Sequence, residues 1–318
     1  MRIAFRNTPF DAAQRAGLDE LAHAHGCETH WCGEGVPTAE ELSGCEALMG
    51  YFPPGLLREL PDLRWLQVPS AGVERYCGDV YASDDVVLTN CSGIFGTDIA
   101  EYAVCAIIML MRHMKGYVLQ SERHEWKALG PARSVFGSTA AVVGCGDIGR
   151  NVACRLKALG ASCVRGICRG DGPRPGFDET YPVDEFAAAL AGAGIVVASL
   201  PITDATRGLI GAEWFEAMGE GSVFVNVGRG ATVDQAALAS ALAGHGIGGA
   251  ALDVFEAEPL PADDALWDMG NVIVTPHVAG WDDDLVNVQA MFGLFADNLT
   301  RYLEGRELTH VVDRGRGY

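Results

Sequence analysis

The chain has 318 residues, of which 49% are apolar, so it can bury one large or two medium hydrophobic cores. Its 23 basic and 42 acidic residues give a formal net charge of −19, which argues against nucleic acid or an anionic membrane as a partner. Ten cysteines without a C-x-x-C spacing favour free thiols in a reducing compartment and argue against a disulfide framework or a zinc site.

Short apolar runs alternate with amphipathic segments over about the first hundred residues, which is typical of a β/α block with short connections. Residues 1–5 have the pattern of a first strand and not of a signal peptide. The predicted strands are 2–5, 47–50, 63–67 and 86–89, and the predicted helices are 11–25 and 56–60.

A long helix is predicted over residues 98–114, with a cap near Thr97 or Asp98 and Glu101 at its third or fourth position. It is apolar nearly all round, which is typical of a helix buried between domains or subunits. The longest apolar run of the chain, 103–111, lies within it and is too short to span a bilayer, so we expect a cytoplasmic protein.

The polar segment 117–136 is expected to be irregular. It is either an arm that contacts a second subunit or a surface loop that packs one tryptophan, Trp126. Several cysteines within predicted strands and helices are expected to be small buried side chains: Cys105, Cys145, Cys154 and Cys163.

The stretch 139–160 combines an apolar run, a G-x-G-x-x-G loop and a segment with helical periodicity. Strand, glycine loop and helix in this order predict a dinucleotide-binding turn. Gly144 permits the tight turn, Gly146 lets a pyrophosphate approach the backbone, and Gly149 lets the helix pack close to the strand. The N–H groups at the start of the helix then face the phosphates.

Strands and helices continue to alternate after the glycine loop, which predicts a parallel, doubly wound sheet. The predicted strands are 163–167, 195–200, 223–227, 249–253 and 272–274. The predicted helices are 183–190, 214–218 and 234–242, with a final helix at 285–303 that returns to the first block.

Three charged or titratable residues follow three successive late strands: Arg229, Glu258 and His277. In an open α/β sheet the ligand crevice lies outside the carboxyl ends of the strands. Each residue alone has a simpler interpretation, as a surface arginine, a loop acid or a turn histidine. Their joint placement predicts that they converge beside a dinucleotide bound at the glycine loop.

The chain resembles the D-isomer-specific 2-hydroxyacid dehydrogenase family over essentially its whole length. The matching motifs are Gly144–Gly149, Leu200-Pro201-Ile202-Thr203 with Thr206, Asn226–Gly230, Asp253–Pro259 and Thr275–Gly280. The resemblance implies two doubly wound α/β domains, a Rossmann cofactor domain at 98–284 inserted in a flavodoxin-like substrate domain at 1–97 and 285–318. It also implies a nicotinamide cofactor, a 2-oxo acid substrate, no metal, and a homodimer.

The same resemblance implies that Arg229, Glu258 and His277 are the catalytic residues. Histidine is a suitable proton donor near neutral pH, so His277 would protonate the carbonyl oxygen while Glu258 orients its ring. The guanidinium of Arg229 would grip the substrate carboxylate and polarise the carbonyl. The backbone of Ser70, Ala71, Gly72 and Val73 would bind the same carboxylate, although a plain turn at a strand end is the simpler interpretation of that segment.

Cofactor choice is predicted from the end of the second strand of this block, where NAD enzymes place an acid for the ribose hydroxyl. Here the sequence has Arg169, and Asp171 comes later in a turn. We therefore expect NADPH to be preferred, with NAD possible and with help from Arg165 or Arg174. The resemblance implies cofactor contacts at Thr97, Gly144, Gly146, Asp147, Ile148, Gly149, Arg169, Leu200, Pro201, Thr206, Val227, Gly228, Asp253 and Gly280.

Bulky residues are expected to border the substrate pocket, at 51–54 from the first domain and at Trp281 from the second. They favour a small acid such as glyoxylate, hydroxypyruvate or pyruvate, unless Trp281 and Phe52 only pack. Two alternatives remain: an activity like that of phosphoglycerate dehydrogenases, which share the motifs, and a non-catalytic corepressor that senses the cofactor and binds partners.

Overall fold

The computed structural model describes residues 1–170, 172–281 and 284–318. The chain divides into two compact units: unit 1 comprises Met1–Phe95 and Trp281–Tyr318, and unit 2 comprises Gly96–Gly280. The sequence predicted the boundaries slightly later, after residues 97 and 284. The first boundary falls earlier because the long helix of unit 2 already begins at Gly96.

Unit 1 contains a five-stranded sheet with the order β2-β1-β3-β4-β5, in which every pair of neighbours is parallel. Its strands are β1 (Arg2–Arg6), β2 (Glu28–Trp31), β3 (Cys45–Gly50), β4 (Trp65–Gln67) and β5 (Val87–Thr89). Its helices are α1 (Ala12–Ala24), α2 (Pro54–Leu57) and the C-terminal helix Leu285–Leu303, with a 3-10 turn at Glu74–Tyr76.

The C-terminal helix belongs to unit 1 because its inner face packs there. Asn298 Nδ2 donates to the buried Gln67 Oε1 at 2.9 Å, and the Phe295 ring lies edge-on to Phe10 with 5.1 Å between ring centroids. A buried amide is stable only when its polar atoms are paired, so the Asn298–Gln67 hydrogen bond fixes the register of this helix against β4.

Unit 2 contains a seven-stranded, all-parallel sheet with the order β12-β11-β10-β9-β6-β7-β8. Its strands are β6 (Thr139–Val143), β7 (Cys163–Cys168), β8 (Glu179–Pro182), β9 (Ile195–Ala198), β10 (Val223–Asn226), β11 (Gly249–Leu252) and β12 (Val272–Val274). Two parallel sheets with alternating helices confirm the predicted α/β class.

The helices of unit 2 cover both faces of this sheet, as a doubly wound fold requires. They are α3 (Gly96–Met111), α4 (Met114–Glu122), α5 (Asp147–Ala158), α6 (Phe186–Leu190), α7 (Ala212–Met218) and α8 (Gln235–Ala243). Short 3-10 turns lie at Val183–Glu185, Gly230–Thr232 and Ala265–Trp267.

Two predictions around α3 were wrong. The helix already includes Thr97 and Asp98, so neither residue is its cap. The segment predicted to be irregular begins with α4, which starts after His113 adopts a left-handed conformation with φ 57°. Within the single chain, α3 exposes Ile108 at 39%, so burial of this helix between subunits stays a prediction.

The four cysteines predicted to be buried are not: Cys105 and Cys154 are exposed, and Cys145 and Cys163 are half-buried. The exposed pair lies on helices, Cys105 in α3 and Cys154 in α5, and a helix covered on one side leaves part of its side chains in solvent. Within the described residues no single helix is long and apolar enough to span a membrane, and only the pair α3–α4, bent by 71°, meets length and composition limits together.

Candidate active site

The glycine loop of unit 2 has the geometry of a phosphate cradle. Gly144 has φ 103°, a conformation that side chains disfavour, and a Cβ on Gly149 would lie 1.9 Å from the Gly144 carbonyl oxygen. Gly146 caps α5, and a Cβ there would meet nothing within 4 Å. The open space at Gly146 therefore fits a dinucleotide pyrophosphate beside the N-terminus of α5.

A second helix N-terminus lies beside the first. A Cβ on Gly96 would be 2.1 Å from Asp147 Oδ2, so the start of α3 touches the start of α5. Thr97 follows Gly96 in α3, and Asp147 and Ile148 are the first residues of α5. Three of the predicted cofactor residues thus come together within unit 2.

No acid stands directly at the end of β7, where Cys168 is followed by the exposed Arg169. Arg174 Nη2 donates to the Arg169 carbonyl at 3.1 Å and so lies in the same loop. Arg165 does not assist there, because it pairs with Glu179 at 3.1 Å and donates to the Ala191 carbonyl at 2.8 Å. The alternative acid, Asp171, lies outside the described residues.

The loops after β9 and β10 meet the glycine loop at the same sheet edge. A Cβ on Gly144 would lie 3.0 Å from the Ser199 carbonyl oxygen, and one on Gly228 would lie 2.6 Å from the Leu200 amide nitrogen. Thr206 Oγ1 closes the first loop by donating to the Pro201 carbonyl at 2.7 Å. Leu200, Pro201, Thr206, Val227 and Gly228 are therefore neighbours in this part of unit 2.

Arg229 is held in an extended conformation by its own loop. Asn226 Nδ2 donates to the Arg229 carbonyl at 3.3 Å, and Asn226 Oδ1 accepts from Gly228 N–H at 3.1 Å. A Cβ on Gly230 would lie 1.9 Å from the carbonyl carbon of Phe255, so the turn is pressed against the next loop. Asn226 thus supports the loop that carries the half-buried Arg229 side chain.

Glu258 and His277 form a hydrogen-bonded pair, with 2.8 Å between Glu258 Oε2 and His277 Nδ1. Glu258 Oε1 accepts from Phe255 N–H at 3.0 Å, which holds the carboxylate in place. The His277 side chain is 48% exposed, and in the described parts of the chain its Nε2 has no hydrogen-bond partner. A proton held at Nε2 is therefore accessible to a bound molecule.

Asp253, predicted beside the nicotinamide, supports the loop of His277. It is 2% exposed and accepts from Thr275 Oγ1 at 2.6 Å, Val278 N–H at 2.9 Å and Ala279 N–H at 2.9 Å. These bonds fix the loop on both sides of the histidine, and Gly280 follows directly as the last residue of unit 2.

Two residues of this support, Thr275 and Tyr102, were given no role from the sequence. The Tyr102 hydroxyl lies 2.6 Å from Thr275 Oγ1, and burial raises the pKa of Tyr102 to about 12. A neutral hydroxyl at this position completes a chain from α3 through Thr275 to Asp253. Tyr102 carries no local signal, because it lies more than 170 residues from its partner in the sequence.

Replacing Asp253 with alanine is expected to lower the free energy of unfolding by about 2–4 kcal/mol. Its loss leaves two backbone N–H groups and one hydroxyl unpaired in a buried place, at about 1–3 kcal/mol for each unsatisfied group before relaxation. Urea denaturation measures the change, with Asp268→Ala as the exposed control. Equal stability of the two variants would contradict a supporting role for Asp253.

The predicted carboxylate-binding segment lies in unit 1, after β4. Ser70 Oγ donates to the Gly72 carbonyl at 2.8 Å, and Asn90 Nδ2 donates to the Ala71 carbonyl at 2.8 Å. Within the described residues, the N–H groups of Ala71, Gly72 and Val73 donate to no protein acceptor. This loop therefore offers donors to an anion.

Two predictions about the pocket wall were wrong. Phe52 is 1% exposed and belongs to the core of unit 1. Trp281, expected from the second domain, lies in unit 1 and is 52% exposed.

A separate group in unit 1 consists of His30, Cys32 and Glu41, whose possible ligand atoms lie within 4.8 Å of one another. His30 and Glu41 are paired at 2.7 Å.

Residues 104–279 match the family described as D-isomer specific 2-hydroxyacid dehydrogenase, NAD binding domain. The chain is 30% identical over 274 residues to glyoxylate/hydroxypyruvate reductase B of Escherichia fergusonii, with 84% of each chain covered.

Two solved structures are similar over nearly their whole length. A D-isomer specific 2-hydroxyacid dehydrogenase family protein from Aeromonas salmonicida is 30% identical, with a TM-score of 0.86 and 98% of this chain and 99% of that one covered. The NADPH-dependent glyoxylate/hydroxypyruvate reductase of Sinorhizobium meliloti, solved with NADP and sulfate, is 29% identical, with a TM-score of 0.84 and all of both chains covered.

The family match covers more than half of the chain, and its NAD-binding assignment agrees with the cradle at Gly146. The chain belongs to the D-isomer specific 2-hydroxyacid dehydrogenase family and is an oxidoreductase that uses a nicotinamide dinucleotide.

Proposed function

We propose that this enzyme reduces a small 2-oxo acid, such as glyoxylate or hydroxypyruvate, to the D-2-hydroxy acid with NADPH. The observation that carries the proposal is the 2.8 Å pair of Glu258 and His277 in the unit that also carries the dinucleotide cradle. Two named reductases of these acids among the similar proteins support it.

The nicotinamide, when bound, supplies hydride to the carbonyl carbon. His277 gives the carbonyl oxygen its proton from Nε2, because Nδ1 is engaged by Glu258. Glu258 keeps the ring in one orientation, since its other oxygen is anchored by Phe255 N–H. Arg229 binds the substrate carboxylate and polarises the carbonyl, and the N–H groups of Ala71, Gly72 and Val73 are further donors to that carboxylate.

The preference for NADPH rests on Arg169 at the end of β7, with Arg174 in the same loop. A guanidinium there favours a 2′-phosphate over a free ribose hydroxyl. The Sinorhizobium meliloti structure holds NADP, and a D-isomer specific 2-hydroxyacid dehydrogenase from Xanthobacter autotrophicus, 29% identical, was solved with NADPH.

Arg169→Ala is expected to weaken NADPH binding about 10- to 100-fold, the range for hydrogen bonds to a charged group, and to leave NADH binding nearly unchanged. Fluorescence titration of both cofactors measures the two dissociation constants. Arg150→Ala, which removes an exposed arginine of α5, is the control for loss of positive charge in unit 2. A parallel loss for both cofactors would show that Arg169 does not bind the 2′-phosphate.

The activity is tested by the absorbance loss of reduced nicotinamide with glyoxylate, hydroxypyruvate, pyruvate and a longer branched 2-oxo acid. Turnover with a small acid supports the proposal and ranks the substrates. Turnover only in the oxidative direction with phosphoglycerate would favour the phosphoglycerate dehydrogenase alternative. Cofactor binding without any turnover would favour the cofactor-sensing protein.

The homodimer is proposed from an exposed apolar surface of unit 2. Residues of α3 and α5 line a groove, and Ile108 and Leu159 on it are 39% and 41% exposed. Beyond α4, Trp126 is fully exposed. Exposed apolar surface of this kind is typical of a protein–protein interface. Sedimentation equilibrium of the purified chain distinguishes a dimer from a monomer. Cytoplasmic location stays a prediction.

A further inference from the structure

Unit 1 has a ligand edge of its own, which its sheet order locates. In the sheet, β2 lies on one side of β1, and β3, β4 and β5 follow in order on the other side. In such a sheet the crevice opens at the switch point, outside the carboxyl ends of the two strands where the direction reverses. These ends are Arg6 of β1 and Gly50 of β3, which is followed by Tyr51.

Two arginines stand at this switch point. Arg6 donates from Nη1 to the Tyr51 carbonyl, and its guanidinium also faces the Gly35 carbonyl at 3.4 Å. Arg75 belongs to the 3-10 turn directly after the Ser70–Val73 loop, and its guanidinium carbon lies 5.3 Å from the ring centroid of Tyr51. Both charges therefore lie beside Tyr51.

Arg75 rests on a rigid aromatic surface. Its guanidinium carbon is also 5.0 Å from the ring centroid of Tyr76, which is fully buried and donates its hydroxyl hydrogen to the Phe52 carbonyl at 2.9 Å. Stacking on tyrosine faces orients a guanidinium. The Arg75 side chain is thus positioned by the two tyrosine rings and not by a carboxylate.

Neither arginine forms an ion pair within the part of the chain that the structure describes. An exposed, oriented guanidinium at a ligand edge is suited to a carboxylate, sulfonate or phosphate oxygen.

We propose that Arg75 binds a second anionic group of the substrate, so that the preferred substrates are 2-oxo acids that carry a distal oxyanion. The first carboxylate is bound by the N–H groups of Ala71, Gly72 and Val73, two to four residues before Arg75 in the same loop. This inference rests on the proposed reduction of 2-oxo acids and adds the class of side group that the enzyme selects.

The test compares two substrates of nearly equal shape: oxaloacetate, with a distal carboxylate, and 4-methyl-2-oxopentanoate, with an isopropyl group in its place. The wild-type enzyme is expected to have about 10- to 100-fold higher kcat/KM for oxaloacetate, the range for a hydrogen bond to a charged group. Arg75→Ala should abolish this preference. Arg75→Lys should keep part of it, because an ammonium lacks the planar fork.

Arg64→Ala is the matched control, since Arg64 is an exposed arginine of unit 1 that precedes β4 at the opposite edge of the sheet. It should leave the substrate ratio unchanged. Sulfopyruvate, and a phosphonate analogue of it, then show which oxyanion Arg75 prefers. Thermal unfolding of each variant separates a lost contact from a lost fold.

Equal kcat/KM of the wild-type enzyme for the two isosteres would overturn the role of Arg75, as would a parallel loss for both substrates in Arg75→Ala. Turnover of glyoxylate with neither larger acid accepted would overturn it as well and would leave the proposed function intact. Absence of reduced-nicotinamide oxidation with every 2-oxo acid would instead refute the proposed function.

Discussion

Replacing His277 with asparagine is expected to lower kcat for 2-oxo acid reduction by about 10²- to 10⁴-fold, the usual contribution of a general acid. Asparagine is the better probe than alanine, because His277 has φ 57° and asparagine tolerates this left-handed conformation. The substitution therefore removes the proton donor with little backbone strain. Steady-state kinetics with the best substrate of the panel measure the change.

His245→Asn is the matched control, since His245 also has φ 57° but lies exposed just after α8. Its kcat should equal that of the wild-type enzyme. NADPH binding should persist in both variants, because the glycine loop is untouched. Wild-type turnover in His277→Asn would remove this histidine from proton transfer.

Replacing Arg229 with alanine is expected to lower kcat/KM by about 10²- to 10⁴-fold. Two hydrogen bonds to a carboxylate are lost at about 1.5–3 kcal/mol each. Arg229→Lys should recover only part of the loss, because lysine restores the charge without the bidentate geometry. Initial rates over a range of substrate concentrations separate the effects on kcat and KM.

Arg207→Ala removes an exposed arginine of the same unit and should leave both constants unchanged. The dissociation constant for NADPH is the second readout, since the carboxylate contact does not involve the cofactor. A variant at Arg229 that lost NADPH affinity and kept its substrate KM would place the arginine at the cofactor instead.

Strands that appear in the sequence as apolar runs were predictable, and two of the four edge strands were not. The central strands β6, β9, β10 and β11 are buried on both faces, so each one appears in the sequence as an apolar run. The edge strands β2 and β8 have no fully buried residue and mix polar with aromatic side chains. They carry no apolar run, and both were missed.

Helix ends depended on contacts that the local sequence does not show. At the start of α3, a Cβ on Gly96 would lie 2.1 Å from Asp147 Oδ2, a residue about fifty positions later. A capping pattern near Thr97 was locally plausible, but the close approach of the two helices decided the boundary. The C-terminal helix was predicted with its observed bounds, Leu285–Leu303, and Asp284 caps it locally.

The residues of the candidate site also divide into those with a local sequence pattern and those that depend on contacts between distant parts of the chain. The glycine loop and the order of Arg229, Glu258 and His277 after successive strands are local patterns, so the sequence alone indicated them. The resemblance led to the expectation that Glu258 orients the His277 ring. In the structure, Glu258 Oε2 lies 2.8 Å from His277 Nδ1.

The sequence by itself determined the fold class and the dinucleotide turn, and it placed Arg229, Glu258 and His277 after successive strands, because short-range periodicity and spacing encode these features. The catalytic roles of the three residues came from the family resemblance and stay a prediction. Only the tertiary structure decided that Asp253 holds the loop of His277, that Phe52 belongs to the core, and that Arg75 rests on Tyr51. Buried hydrogen bonds and ring stacking join residues far apart in the chain, so no local pattern announces them.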